Sequence, residues 1–202
     1  MAFRDTLLAN EGWYSRWKVM IRADKAMSTI AEHIGAGPGD KVLDVGCGNG
    51  DVRPKLADAD YTGVDLNDDY LAKARATHNG PNTQFIRADV AELEALGLGP
   101  YDVACGIGVL HHLSDAEVAS LLGGIADALR PGGRLVTMDP VFDPEQRTTA
   151  RVLAALDRGR YVRDRPGYER LVGGALSIDS VTIRHDLLAM PYSHCIIESH
   201  KP

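Results

Sequence analysis

The stretch Lys41-Val-Leu-Asp-Val-Gly-Cys-Gly-Asn-Gly-Asp51 decides the fold of this chain. Its first half is a short apolar run typical of a buried β-strand, and its second half carries three alternating glycines. Glycines at 46, 48 and 50 let the backbone turn sharply and approach a ligand closely, as in the first loop of a nucleotide-binding doubly wound sheet. The stretch therefore predicts a strand, a ligand-binding turn and the start of a helix.

The charges around this turn indicate which ligand it holds. A dinucleotide-binding loop has a third glycine at the position of Asp51, and no Gly-Lys-Ser/Thr follows that would make a phosphate-binding Walker loop. Asp44 and Asp51 would repel a diphosphate, but they would attract the ammonium and sulfonium groups of S-adenosylmethionine. We therefore expect a ligand that is cationic at this end.

Two further aspartates follow predicted strands. Asp65 lies nineteen residues after Gly46, where an acidic residue binds ribose hydroxyls in this architecture. Asp89 follows the next strand and can accept from an exocyclic amine such as that of adenine. Aspartate is also a common helix cap, which is the alternative for each one taken singly.

Short apolar runs alternate with helical patterns, which predicts a parallel sheet. The predicted strands are Lys41 to Val45, Tyr61 to Asp65, Thr83 to Arg87, Tyr101 to Ile107 and Arg134 to Asp139. A helix is predicted from Ser114 to Leu129, with a capping box at Ser114 and Glu117. Two last strands, Val181 to Asp186 and His194 to Glu198, have too short a connection to be parallel, so we expect an antiparallel hairpin.

Two helical regions flank this core. Residues 1–39 are expected to form an N-terminal helical cap, with a helix from Trp13 to Ile34, and residues 140–178 a helical insert over the cleft. No internal repeat is visible, so residues 1–202 are expected to form one domain.

The composition is that of a globular chain, with 45% hydrophobic and 25% charged residues. The net charge of −6 disfavours nucleic acid as a partner, and the apolar run Val103 to Leu110 is too short to span a membrane. Three separated cysteines fit reduced thiols, and the N-terminus shows no signal peptide. These features favour a cytoplasmic protein, and they leave the oligomeric state open.

The segments VLDVGCGNGD, GVDLN, IRADV, YDVACGIGVLHHL and LRPGGRLVTMD, in this order, resemble the class I S-adenosylmethionine-dependent methyltransferases. The resemblance runs from about Lys41 to Glu198 and implies a Rossmann-like methyltransferase fold. That fold is α/β, with a doubly wound, mostly parallel seven-stranded sheet and a C-terminal antiparallel hairpin. It also implies S-adenosyl-L-methionine as cofactor. The residues implied to bind it are Asp44, Gly46, Cys47, Gly48, Gly50, Asp65, Leu66, Asp89, Val90 and Gly106.

The acceptor is less constrained. The fourth strand is followed by Gly-Ile-Gly-Val-Leu-His-His, and not by the Asn/Asp-Pro-Pro-Tyr run of enzymes that methylate DNA amino groups. No acidic cluster beyond the cofactor set suggests a catalytic metal. A small-molecule substrate methylated at a hydroxyl or other oxygen is therefore expected. Nitrogen or carbon acceptors, another adenosylmethionine reaction and a cofactor-binding module without turnover stay as alternatives.

His111 and His112 are the candidate catalytic residues, because a histidine after the fourth strand can accept a proton from a hydroxyl nucleophile. His111 is preferred, and the alternative is a packing role. The stretch Arg147 to Arg170 holds seven arginines, which form either an acceptor site or a solvated face. The candidate substrate contacts are Tyr14, Trp17, Tyr161, Arg163 and Tyr168. His185, Tyr192 and His194, near the last hairpin, are expected to be structural and remote from the carboxyl edge of the sheet unless the connecting loop folds over it.

Overall fold

The computed structural model of this chain describes residues 23–157 and 159–202. Helices and strands alternate from the start of this region. In chain order they are α1 (Ala23–Ile34), β1 (Lys41–Val45), β2 (Asp60–Asp65), α2 (Asp68–Thr77), β3 (Thr83–Arg87), β4 (Tyr101–Ile107), α3 (Asp115–Ala128), β5 (Leu129–Phe142), α4 (Thr148–Ala155), β6 (Arg163–Asp164), α5 (Arg165–Gly173), β7 (Ser177–Arg184) and β8 (His194–His200). Short 3₁₀ turns occur at Arg53–Lys55, Val90–Glu92 and Leu110–His112.

The strands form one sheet in the order β3-β2-β1-β4-β5-β8-β7, with the two-residue β6 paired to β5. The first five strands are parallel, whereas β8 runs antiparallel to both β5 and β7. The predicted doubly wound α/β sheet with a C-terminal antiparallel hairpin is therefore confirmed. The carboxyl ends of β1 to β5 lie at one edge, which we call the upper edge.

Each strand contributes alternate residues to the two faces of the sheet. Leu43, Ala104 and Leu135 belong to one apolar cluster, together with the buried side chains of α3 and α5. Val42 and Val136 belong to the other cluster, with α1 and α2. Because both faces are covered, the central strands are apolar along nearly their whole length, as is typical of parallel sheets.

Local signals explain where the helices begin. Ser114 caps α3 by accepting from the Glu117 amide, and the Glu117 carboxylate accepts from the Ser114 amide in return. Asn67 caps α2 by accepting from two backbone amides. Within the described ranges, no helix combines the length and the apolar composition that crossing a membrane requires.

The elements depart from the sequence predictions in three places. Strand β5 continues through Pro140 to Phe142, where a helix was expected, because β8 and β6 provide pairing partners for these residues. The rest of the predicted insert contains two short helices, α4 and α5, separated by β6. The hairpin strands β7 and β8 are longer than predicted. The part of the predicted helix Trp13 to Ile34 that precedes Ala23 lies outside the described residues.

Candidate active site

The glycine turn lies at the upper edge of the sheet, together with Asp44, Asp65 and Asp89. Parallel pairing aligns β1 with β2 and β4, so that Val45 lies opposite both Val64 and Gly106. The turn after β1 has positive φ at Gly46 and Gly48, 65° and 53°. A side chain at position 46 would also collide with Val109, since a Cβ there would lie 2.7 Å from its Cγ2. Position 46 therefore requires glycine, because its φ is positive and because any side chain would collide with Val109.

Asp65 is fixed at the tip of β2 by the glycine turn. Its Oδ2 accepts from the Gly48 amide at 2.9 Å, and its Oδ1 accepts from the Asn67 amide at 2.8 Å. Each carboxylate oxygen retains a further lone pair for a ligand hydroxyl. The adjacent cavity of ≈ 400 Å³ is lined by Val45, Gly46, Val64, Asp65, Leu66, Ala88, Asp89, Val90, Val109, Leu113, Glu117, Ser120 and Leu121.

Asp89 both lines this cavity and begins the 3₁₀ turn Val90–Glu92. Its carboxylate accepts from the Ala91 amide, and Glu92 completes a capping box with the Asp89 amide. The helix-cap alternative and the ligand-binding role therefore coexist in this residue. Leu66, at the rim, is 59% exposed and offers an apolar surface to a planar ring.

A smaller cavity of ≈ 180 Å³ lies at the glycine turn. It is lined by Met27, Asp44, Gly46, Cys47, Gly48, Asn49, Asp51, Val52, Tyr70 and Ile107. Asn49 Oδ1 is buried and accepts no hydrogen bond from the described part of the chain. An unsatisfied buried acceptor calls for a donor, such as a ligand ammonium group.

Asp44 forms the floor of this smaller cavity. It is 3% exposed, and the Tyr61 hydroxyl donates to its Oδ2 at 2.5 Å. The Cys105 thiol lies 3.5 Å from its Oδ1. Burial raises the pKa of Asp44 to about 7, although the hydrogen bonds from Tyr61 and Cys105 oppose this shift. A cationic ligand nearby would favour the ionised form.

The two cavities bring together nearly all of the predicted cofactor residues. Gly50 and Gly106 are the exceptions, because neither lines a cavity: Gly106 lies in β4, and Gly50 packs against the Phe85 ring. Cys47 lines the smaller cavity, and burial raises the pKa of its thiol, so this thiol stays protonated. The described lining holds five carboxylates, Asp44, Asp51, Asp65, Asp89 and Glu117, and no lysine, arginine or histidine.

His111 is held between two carboxylates. Its Nδ1 lies 2.8 Å from Asp139 Oδ1, and its Nε2 lies 3.4 Å from Asp157 Oδ1. Burial alone would lower the pKa of His111, but the hydrogen bonds and charges of Asp139 and Asp157 raise it to about 9. His111 is only 5% exposed, and both its ring nitrogens lie against carboxylates. It is therefore poorly suited to take the proton of a substrate hydroxyl at neutral pH. His112 is exposed.

Sequence reasoning missed Asp139 and Asp157, and it expected Tyr192 to be structural. The Tyr192 hydroxyl donates to Asp157, so the loop between β7 and β8 lies at the upper edge, close to His111. The expectation that Tyr192 and its neighbours are remote from the cleft is therefore wrong. The reason is that β7 ends, and the antiparallel β8 begins, at this edge. The antiparallel hairpin was predicted, but the pairing of β8 with β5, which places this loop at the upper edge, was not.

The predicted substrate contacts lie in different environments. Tyr161 is exposed, whereas Tyr168 is 1% exposed and its hydroxyl donates to the Pro140 carbonyl at 2.9 Å, which makes it a core residue. Arg163 donates to the carbonyls of Leu110 and Leu113 at 2.8 and 2.7 Å, which ties the insert to the turn after β4. Tyr14 and Trp17 lie outside the described residues.

One further cavity lies beside the loop between β7 and β8. Its volume is ≈ 310 Å³, and it is lined by Glu145, Arg147, Ala150, His185, Leu188, Ala189, Met190, Pro191, Tyr192 and Ser193. Among the described residues, Asp143, Glu145 and His185 each bring one possible ligand atom within 4.8 Å of the others at this place. The sequence analysis did not anticipate this group.

Comparison with known proteins gives a consistent picture. Residues 42–133 match the family model described as a methyltransferase domain. A ubiquinone biosynthesis O-methyltransferase of Cronobacter sakazakii is 36% identical over 110 residues, which cover 52% of this chain and 44% of that protein. The chain spans about half the length of the curated relatives it matches.

Solved structures share the fold at low sequence identity. Magnesium protoporphyrin IX methyltransferase from Synechocystis PCC 6803, with bound S-adenosylhomocysteine, has a TM-score of 0.70 and 20% identity, and the match covers 96% of this chain and 97% of that one. A [4+2]-cyclase has a TM-score of 0.71 and 18% identity, and its match covers 89% and 82%. The same fold therefore carries more than one chemistry.

Proposed function

We propose that this chain transfers the methyl group of S-adenosylmethionine to a small molecule, because residues 42–133 match a methyltransferase domain and the fold is shared with solved methyltransferases. The charge of the two cavities carries the proposal. Five carboxylates and no cationic side chain among the described lining residues favour a nucleoside with a positive sulfonium and ammonium. The same lining opposes a diphosphate.

The residues present fit this cofactor. Asp65 presents carboxylate oxygens at the tip of β2 for the two ribose hydroxyls, and Asp89 is placed to accept from the adenine amine. Leu66 and Val90 supply apolar contacts for the base. Asp44 and the buried Asn49 Oδ1 face the methionine end with acceptors for a cation.

The chemistry needs alignment more than it needs a base. S-adenosylmethionine supplies, when bound, a methyl group already activated by a positive sulfur. The protein's task is to hold the acceptor in line with that methyl group and to exclude water, which can supply a large part of the rate enhancement. In this proposal His111 is a positioning residue, because its two ring nitrogens are paired with the carboxylates of Asp139 and Asp157 and so hold these segments together. The preferred acceptor atom is oxygen, which is supported by the relatives named O-methyltransferases.

Calorimetry with a matched pair of variants tests cofactor binding. We expect S-adenosylmethionine and S-adenosylhomocysteine to bind, and ATP and NAD not to bind. Asp65→Ala should remove binding, whereas Asp60→Ala, at the opposite end of β2, should leave it unchanged. At about 100 times Kd, the ligand should raise the free energy of unfolding by about 2.7 kcal/mol in the wild type. Preference for ATP or NAD would reject the proposal.

Incubation with isotope-labelled methyl donor and a panel of phenols, acids and amines then separates turnover from binding. A labelled product supports methyl transfer, and its chemistry identifies the acceptor atom. Tight cofactor binding without any labelled product would favour the alternative, a cofactor-binding module without turnover.

A further inference from the structure

The cavity of ≈ 310 Å³ has both apolar and polar groups in its lining, with two charged residues among them. Ala150, Leu188 and Met190 form apolar walls, with the Tyr192 ring between them and the polar side. Glu145 and Arg147 stand at the rim and are both exposed. A volume at the lower end of the usual range for small-molecule sites suits a single aromatic ring with a short polar substituent.

The loop that lines this cavity is tied to the helix that lines the smaller one. Lys25 in α1 donates to Asp186 Oδ2 at 2.6 Å; two residues further on, Met27 lines the smaller cavity and Leu188 lines this one. The Val141 amide donates to the Ser193 carbonyl at 3.0 Å, which fixes the end of the loop to the tip of β5. The loop that lines this cavity is therefore fixed both to α1 and to the tip of β5.

The walls are held in place by hydrogen bonds from other elements. Tyr192 donates to Asp157, and Asp157 is held in turn by His111 and by the Gly159 amide at 2.7 Å. His185 Nδ1 lies 2.9 Å from Ser193 Oγ. A pre-formed site of this kind loses little entropy when it binds a ligand.

The rim carries two opposite charges that do not neutralise each other. Within the described part of the chain, the Arg147 guanidinium and the Glu145 carboxylate have no hydrogen-bond or ion-pair partner. Asp143 lies beside Glu145 and adds a second carboxylate on that side, and His185 Nε2 lies 3.7 Å from its Oδ1. A ligand carboxylate can bind the Arg147 guanidinium group, and a ligand ammonium group can bind between Glu145 and Asp143.

Building on the proposed function, we propose that this cavity holds the methyl acceptor and that the acceptor is a hydroxyl-bearing aromatic molecule with an amino-acid-type zwitterionic end. Its ring lies among Ala150, Met190 and Tyr192, with the hydroxyl toward the glycine turn. Its carboxylate binds Arg147, and its ammonium group binds Glu145 and Asp143.

Three probes that differ only in charge test this assignment. L-tyrosine carries both charges, tyramine lacks the carboxylate, and 3-(4-hydroxyphenyl)propanoate lacks the ammonium group. Calorimetry uses the protein saturated with S-adenosylhomocysteine, with EDTA present to remove divalent cations. We expect L-tyrosine to bind about tenfold more tightly than either of the other two, since each lost charge-assisted hydrogen bond costs about that factor.

Variants assign each charge to its partner. Arg147→Gln should weaken L-tyrosine and the propanoate but not tyramine, and Glu145→Gln should weaken L-tyrosine and tyramine but not the propanoate. Arg151→Gln, one turn further along α4, is the matched control and should change none of the three. Ala150→Phe should fill the cavity and abolish binding of all three probes.

The affinity for S-adenosylhomocysteine is measured first in every variant. If it does not bind to the wild type, the proposed function fails. If it binds normally, the acceptor assignment is overturned by L-tyrosine binding no more tightly than the other probes, or by an Arg147→Gln variant that binds all three like the wild type.

Discussion

Asp44 and Asp65 have the same chemistry but opposite surroundings. Asp44 is 3% exposed and lines the smaller cavity, whereas Asp65 is partly exposed and accepts hydrogen bonds from two backbone amides at the strand tip. Burial disfavours the charged form of a carboxylate, and amide donors favour it. The sequence placed both residues at strand ends, but their different environments depend on what packs over them.

Asp44→Asn should therefore stabilise the ligand-free protein and weaken cofactor binding. The folded-state pKa of Asp44 is raised from 3.8 to about 7, so the folded state holds an extra proton between these values. The stability of the wild type falls as pH rises through this window. At pH 8 we expect the variant to be more stable than the wild type by on the order of 2 kcal/mol, and to bind S-adenosylmethionine about tenfold more weakly.

Urea unfolding of both proteins at pH 4 and pH 8 measures the effect. The difference in the free energy of unfolding should be small at pH 4 and grow toward pH 8. A difference that is the same at both pH values would mean that Asp44 is not protonated in the ligand-free fold.

At the scale of elements, the packing of α3 against the 3₁₀ turn Val90–Glu92 positions Asp89 and Val90, the proposed contacts of the adenine. Two neighbouring glycines of α3 differ sharply here. A Cβ on Gly124 would lie 2.8 Å from Val90 Cγ1, whereas a Cβ on Gly123 would meet no atom within 4 Å. Val90 has a stiff β-branched side chain, so the turn would have to move.

Gly124→Ala should destabilise the protein by about 1–3 kcal/mol through overpacking, and should weaken binding of S-adenosylhomocysteine by displacing Asp89 and Val90. Gly123→Ala is the matched control, since alanine in an open helical position stabilises by roughly 0.5–1 kcal/mol. Thermal unfolding and calorimetry measure both effects. Equal effects of the two substitutions would show that the contact with Val90 is unimportant.

Prediction of the elements succeeded where the signals are local. The predicted α3 has its own cap at Ser114 and an apolar stripe, and its bounds agree within one residue. The region from Pro140 was predicted to be helical, because its partners are distant in sequence: Pro140 pairs with His194, and Phe142 with Asp164. A strand that depends on partners this far along the chain has no local signal.

For the whole molecule, His111 connects segments that are far apart in sequence. It contacts Asp139 at the end of β5 and Asp157 in the insert, and its carbonyl accepts from the Tyr161 amide at 3.0 Å. A side chain on Gly159 would overlap the His111 ring, so the insert packs directly on it. Removing the imidazolium would leave two carboxylates without their counter-charge.

His111→Gln should lower stability in a pH-dependent way. The folded-state pKa of His111 is raised from 6.5 to about 9, so its contribution is fully present below pH 6.5 and is lost as pH rises through 9. At pH 7 we expect a loss of about 3 kcal/mol in the free energy of unfolding, as for a broken buried ion pair.

The measurement is the difference between the stability profiles of wild type and variant from pH 6 to pH 10. The difference should shrink above pH 9. His200→Gln, which removes an exposed pair with Asp179 at the far end of β8, is the control and should change stability by only about 0.5 kcal/mol. A constant difference across the pH range would show that His111 is uncharged in the folded state.

The sequence by itself determined the alternation of strands and helices, the antiparallel final hairpin and the carboxylates around the glycine turn. These features follow from short-range periodicity, from turn chemistry and from the rule that parallel strands end at one edge. Only the tertiary structure decided that Asp44 is buried, that His111 is enclosed between Asp139 and Asp157, and that the loop bearing Tyr192 lies beside them. Burial and pairing between distant segments exist only once the chain is folded, because they depend on neighbours that the local sequence does not contain.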